Sequence, residues 1–534
     1  MRSWRAARPR VTRVANAVRP RLAQAADAVR PRLARATAAA KPRVTRIARA
    51  AKPQVARITR PKTWQYTAGA ATAGLALAAG VVSAAGPWDS TGQRTAERDR
   101  AVAQERTGGA DHDGSSGTAG GAPRPAPSAA SVLIGLGGAT NSVRTAPTGP
   151  VLADVLTPLL KDAALGARRT AAVVDVATGK RLYGTGADEA LTPASTTKIA
   201  TAVAALSALG ADHRLTTRAA LEPDTNELVL VGGGDPTLTA HQDAEGWASL
   251  RTLADDTAAA LKKRGISEVT LSYDTTLYAG PELHPIGVND NLAPVTALMA
   301  DEARTDDSAS GPAVRVPDPA ADATRKFADL LKDYGIKTTS PGPSKATGRA
   351  ESLAAVSSPP LSALVERMLT NSDNDIAEAL ARQTAVATGK RADFGGAGQA
   401  IGAQLKTLGL AVSGADFKDG SGLNRDDRLT AGLLTSLLAK AGDPTHPELR
   451  AALTGLPVAG FTGTLTSRYA DGAAGIVRAK TGTLTGVNTL AGTVVDQDGR
   501  LLAFAFLASN TTDPAAAQAA LDRTATALAA CGCR

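Results

Sequence analysis

The chain has 534 residues, too many for one hydrophobic core, and sets 60 Lys or Arg against 50 Asp or Glu for a net charge of +10. The first 63 residues hold 18 of the basic groups and a single acid, Asp27, so the remaining 42 basic and 49 acidic residues leave a mildly acidic body. The high basicity therefore describes an arm, and two cysteines with five scattered histidines exclude the paired ligand spacing of a catalytic zinc or redox centre.

In that arm Pro9, Pro20, Pro31, Pro42 and Pro53 recur every 11 residues, each preceded by Arg or Lys and followed two places later by Val or Leu. Proline is tolerated in a first helical turn but stops a helix arriving from upstream, so the repeat predicts a string of short basic amphipathic helices over 1–63. Such a face suits anionic lipid or a solvated tail. Trp4 is the only aromatic residue before Trp64, so no base-stacking platform exists and no specific nucleic acid is expected as partner.

Residues 67–86 are uncharged and flanked by Trp64, Tyr66 and Trp88, which predicts one transmembrane helix or uncleaved signal anchor over 64–88. The arm then stays cytoplasmic, and the chain is expected as a single-pass protein of the cell membrane with its main part extracellular. Val82-Ser83-Ala84 also reads as a signal-peptidase site, so secretion after cleavage near Ala84 stands as the alternative. Residues 89–150, rich in Gly, Ser, Ala and Pro, read as a flexible linker.

Beyond the linker, a strand pattern over 170–176, a turn at 177–180 and a return strand over 181–183 predict a hairpin. An apolar helix follows from Ser195 to about Leu209. A second helix pattern covers 373–388, strands cover 476–480, 489–495 and 501–508, and a closing helix covers 514–530. Strands at both ends with helices between them imply one sheet of distant parts, covered by helices on both faces, an α+β member of the broad α/β class. Residues 210–355 carry mixed strand and turn patterns and read as an inserted smaller domain. The Gly232 to Gly234 run has no Gly-Lys-Ser/Thr after it and reads as a turn, not a phosphate loop. At the C-terminus Cys531 and Cys533 are read as either idle thiols or a small-ring disulfide.

Three short motifs occur in order: Ser195-Thr-Thr-Lys198, Ser372-Asp-Asn374 and Lys480-Thr481-Gly482. Together they define a serine acyl-transfer site. Ser195 and Lys198 lie one helical turn apart, so a lysine kept neutral by burial or neighbouring charge can take the serine proton. Ser372 would relay that proton to the leaving nitrogen, Asn374 would bond the substrate amide, and Lys480 would attract a substrate carboxylate. The backbone N–H groups of Ser195 and Thr483 would hold the oxyanion. No metal and no cofactor are expected.

On these motifs the chain resembles the class C low-molecular-mass penicillin-binding proteins, the D-alanyl-D-alanine carboxypeptidase and endopeptidase group (peptidase family S13). Residues 191–198 (LTPASTTK), 231–238 (VGGGDPTL), 294–304 (PVTALMADEAR) and 419–423 (DGSGL) look like stretches of that group. The resemblance implies a β-lactamase/transpeptidase-like catalytic domain over 151–209 and 356–534, with 210–355 inserted. It implies cleavage of peptidoglycan stem peptides through an acyl-Ser195 intermediate, and covalent inhibition by β-lactam antibiotics. It further implies that the insert helps hold the substrate's diaminopimelyl side chain, for which Asp274 is the candidate. A β-lactamase, or a catalytically dead module that binds wall fragments, is the rival reading. No clear Glu-x-x-x-Asn deacylation element lies between Asn374 and Lys480, and the motif residues are all present, which disfavours both.

Overall fold

A computed structural model describes residues 149–469 and 472–531. The basic repeats, the 64–88 segment with Ala84, the linker up to residue 148, and Cys533 lie outside the described residues. Among the described residues no helix is long and apolar enough to cross a membrane.

In chain order the described part begins with α1 (Gly149–Leu160), β1 (Arg168–Asp175), β2 (Arg181–Thr185), β3 (Ala190–Leu191) and α2 (Thr197–Leu209). Next come β4 (Thr216–Leu221), β5 (Glu227–Val231), α3 (Leu250–Lys263), β6 (Glu268–Asp274), α4 (Pro319–Asp333), β7 (Lys337–Pro343) and β8 (Glu351–Ser357). The chain continues through α5 (Leu361–Asn371), α6 (Asn374–Ala387), α7 (Phe394–Thr407), β9 (Leu429–Thr430), α8 (Ala431–Gly442) and α9 (Ala451–Thr454). It ends in β10 (Arg478–Leu484), β11 (Val487–Val495), β12 (Leu501–Ser509) and α10 (Pro514–Ala529).

The main sheet has the order β10-β11-β12-β1-β2 and is antiparallel throughout. Its two-sided burial is written into β12. Leu502, Phe504, Phe506 and Ala508 enter the layer shared with α1 and α10, while Ala503, Ala505 and Leu507 enter the layer shared with α2 and α8. Small residues on the second face let α2 sit close. Its residues Thr197–Leu206 are all buried, the signature of a helix at the centre of a core.

A second sheet, β7-β6-β5-β4-β8, is mixed: β5, β6 and β7 run parallel, while β4 pairs antiparallel with β5 and β8. Parallel neighbours need crossovers, which α3 and α4 supply. Phe327, Leu330 and Leu331 of α4 meet Leu253 and Leu261 of α3 in a core separate from that of the main sheet. Sequence patterning gives neither these two helices nor the parallel pairs. The Lys480 triplet, expected to begin on the last residue of a 476–480 strand, lies inside β10, because the antiparallel register Lys480↔Ala491 to Leu484↔Val487 carries the ladder through it.

Candidate active site

The nucleophile candidate stands on a short 3-10 turn, Ala194–Thr196, that leads into α2. Ser195 does not cap the helix with its side chain, so its hydroxyl is left to the cleft. Ala194 has φ +49° and Ser372 φ +60°, two non-glycine residues in the left-handed region at the same site. Each such conformation costs about 1–3 kcal/mol and survives only where surrounding packing dictates it.

Lys198 is fully buried, and its Nζ lies 3.1 Å from Ser195 Oγ, 2.6 Å from Asn374 Oδ1 and 2.7 Å from the Ser421 carbonyl. Asn374 Nδ2 donates to the Asn291 carbonyl at 2.8 Å, which fixes the amide so that its oxygen faces the lysine. Two of the three partners can therefore only accept. A neutral amine has two hydrogens and one lone pair. With both hydrogens donated to Asn374 and Ser421, the lone pair is directed at the Ser195 hydroxyl, the geometry a general base requires.

Burial pulls the Lys198 ammonium down to about 8, against the opposing charges of Asp419, Glu378, Asp373 and Asp375. Lys480, also fully buried, is held well below the usual lysine range by burial and by the positive charges of Lys198 and Arg468. Its Nζ donates to the Thr481 carbonyl at 2.9 Å. Lys480 itself does not line the cleft, and a carboxylate brought beside it would favour the protonated form that burial disfavours.

Ser195, Ser372, Asn374, Thr481 and Thr483 line one cleft of about 370 Å³. Strand β10 is the outermost strand of its sheet, so the side of Thr481 and Thr483 away from β11 is available to an extended peptide. Gly482 lets β10 close onto β11 and onto the turn that carries Ser195. A Cβ there would sit 2.1 Å from Thr489 Oγ1 and 2.7 Å from the Pro193 carbonyl, two atoms that are themselves hydrogen-bonded at 2.8 Å. Replacing Gly482 with alanine is expected to lower acylation by about tenfold and stability by about 2 kcal/mol, through overpacking against backbone. Stopped-flow penicillin labelling and a thermal melt check this; unchanged values in both would refute it.

Asp274 is not brought to the cleft. Its carboxylate accepts the Thr276 and Ala346 N–H groups at 2.8 and 3.0 Å at the end of β6, so it holds two loops of the insert together. Other residues of the insert, Asn291, Arg304, Pro312 and Arg315 among them, reach the cleft wall instead. Sequence reasoning missed Asn291, His284, Glu378 and Asp419. Only Asp419 carried a signal, the first place of the Asp-Gly-Ser-Gly-Leu stretch.

Two groups of possible metal ligands occur among the described residues: His284 with Glu378 and Asp419, and Glu302 with Asp373 and Asp375. Both are engaged internally. Glu378 accepts the Gly420 and Ser421 N–H groups, and Asp419 those of Gly422 and Asn424. Arg304 and Arg367 pair with Glu302, and Arg315 with Asp375.

The family model described as D-Ala-D-Ala carboxypeptidase 3 (S13) matches residues 152–311 and 305–530. A carboxypeptidase of Mycobacterium tuberculosis is 35% identical over 425 residues, covering 77% of this chain and 90% of that protein. Carboxypeptidase DacB of Mycolicibacterium smegmatis is 38% identical over 402 residues, covering 72% and 85%. Among solved structures, penicillin binding protein 4 from Haemophilus influenzae aligns with a TM-score of 0.58 at 22% identity, over 70% of this chain and 98% of that one.

Proposed function

The chain belongs to the D-Ala-D-Ala carboxypeptidase 3 (S13) family, and we infer from this that it is a serine-type D-Ala-D-Ala carboxypeptidase and endopeptidase of peptidoglycan stem peptides, inhibited covalently by β-lactams. The observation that carries the residue assignment is the directed contact from Lys198 to Ser195.

Ser195 Oγ attacks the carbonyl carbon of the penultimate D-alanine while its proton passes to Lys198 Nζ. The oxyanion is held by the Ser195 and Thr483 N–H groups, the C–N bond breaks, and the leaving amine takes a proton by way of Ser372. Water then attacks the acyl-Ser195 ester with Lys198 again as base, releasing the shortened peptide as a carboxylate. Asn374 keeps one Nδ2 hydrogen beyond its bond to Asn291 for the substrate amide. Lys480 takes the substrate's terminal carboxylate, and Thr481, Gly482 and Thr483 form the edge along which the peptide lies.

We further propose that the catalytic part faces the outside of the cell, tethered by residues 64–88 with the basic arm on anionic lipid, or released after Ala84. The charge asymmetry around the uncharged 67–86 segment supports this. Intact mass spectrometry with and without benzylpenicillin tests both proposals. The expected result is one added penicillin mass, located on the peptide containing Ser195, and an N-terminus that is either native or starts just after Ala84. No adduct, or an adduct on another residue, would reject the mechanism, and any other mature N-terminus would reject the topology.

A further inference from the structure

We propose that the loop of residues 284–293, contributed by the inserted stretch, is a positioning clamp for Lys198, with His284 as its buried anchor. The proposal rests on Lys198 acting as the base. Both acceptors that take the hydrogens of Lys198 are held, at one remove, by this loop. On one side the Asn291 carbonyl orients Asn374, and the Ala293 N–H donates to Asp375 Oδ1 at 2.9 Å, tying the loop to the first turn of α6.

On the other side His284 Nε2 lies 3.0 Å from Asp419 Oδ2, with the two side chains 1% and 0% exposed. The Ile286 N–H donates to His284 Nδ1 at 3.2 Å, so the ring hydrogen sits on Nε2 and is donated to Asp419. Phe394 meets the ring edge-on at 5.1 Å and fixes its plane. Asp419 in turn accepts the Gly422 and Asn424 N–H groups, each at 2.6 Å, and so shapes the turn that aims the Ser421 carbonyl at Lys198. That turn sits hard against the nucleophile. Gly422 has φ +82°, and a Cβ on it would lie 2.0 Å from the Ala194 carbonyl.

The charged groups that face Lys198 are Asp419 from the turn, Glu378 and Asp375 from α6 with Asp373 at its N-cap, and Lys480 from β10. Against burial, Asp419 is held below the usual carboxylate range by its bond from His284, by the neighbouring Asp427 carboxyl, which burial and the Asp419 charge push up to about 10, and by the Gly422 N–H. Burial and the Asp419 charge push Glu378 up to about 7. Asp419 is therefore the anion that most favours the charged form of Lys198, and His284 is the largest of the groups that hold it as one, beside Asp427 and the Gly422 and Asn424 N–H groups.

The test is the pH dependence of penicillin acylation in the full chain carrying His284→Phe, which keeps an aromatic ring against Phe394 but removes the donor to Asp419 and the acceptor of the Ile286 N–H. Acylation is expected to fall about tenfold at its plateau, with its acid limb moving about one pH unit lower, because Lys198 loses a favourable anion. His284→Gln, which can still donate to Asp419, should restore both. A His284→Phe chain with the parent's rate and profile overturns the proposal, as does a slow one whose limb is unmoved and which His284→Gln fails to rescue. Should His284→Phe not fold, Asp419→Asn is read the same way: a limb at lower pH supports the clamp, and an unmoved limb overturns it. A parent chain with no acid limb removes Lys198 as base, and the clamp with it.

Discussion

Ser195→Ala is expected to abolish penicillin labelling and to lower D-alanine release from a stem pentapeptide by about 10,000-fold or more, the loss typical of removing a covalent nucleophile. Among the described residues no second hydroxyl stands ready to replace it. Ser372 lines the same cleft, but the lone pair of Lys198 is directed at position 195 by the two acceptors on its other side. Oxyanion donors and substrate binding would leave only a small residual rate over water. Labelling and hydrolysis are measured separately, because an unlabelled chain that still trims the peptide at the parent rate would place the nucleophile elsewhere.

Lys198→Met, which keeps the length of the side chain without the nitrogen, should slow acylation by about 1,000-fold at pH 8, within the range general bases contribute. Its second signature is in the pH profile. Lys198 is pulled down to about 8, so its reactive neutral form dominates above that pH and is lost below it. Acylation by the parent should therefore fall about tenfold per pH unit on the acid side of 8, while the methionine variant, lacking the titrating amine, should show no such limb. Equal slopes in both chains would assign the base to another group. Because the substitution leaves Asp419 and Glu378 without their buried counter-charge, a thermal melt run beside the kinetics separates lost folding from lost catalysis.

Much of the catalytic layer was legible in the chain. The hairpin β1–β2, the strands β11 and β12 and the closing helix α10 follow from short apolar runs bounded by turn residues and from a helical stripe, since β11 and β12 are buried on both faces and the helix on one. The pairing of Ser195 with Lys198 is equally local, three residues apart on one helical turn. By contrast α3 and α4, and the parallel strands they connect, lie in a stretch whose strand and turn signals mask the helical stripe. The place of Asp274 outside the cleft was not legible, because a carboxylate at a strand end carries the same one-letter signal whether it lines a cleft or ties a loop.

What the sequence determined by itself was the inventory and its order: a nucleophile, an amine three residues on, two further polar motifs, and the apolar strands that form the sheet beneath them. Tertiary structure alone decided how that inventory is tuned. The partners of Lys198 at Asn374 and Ser421 are 176 and 223 residues away along the chain, and the His284–Asp419 bond spans 135. The physical reason is that helical and strand periodicities relate residues within one element, whereas a buried amine takes its proton affinity and orientation from whichever distant groups the packed core leaves against it.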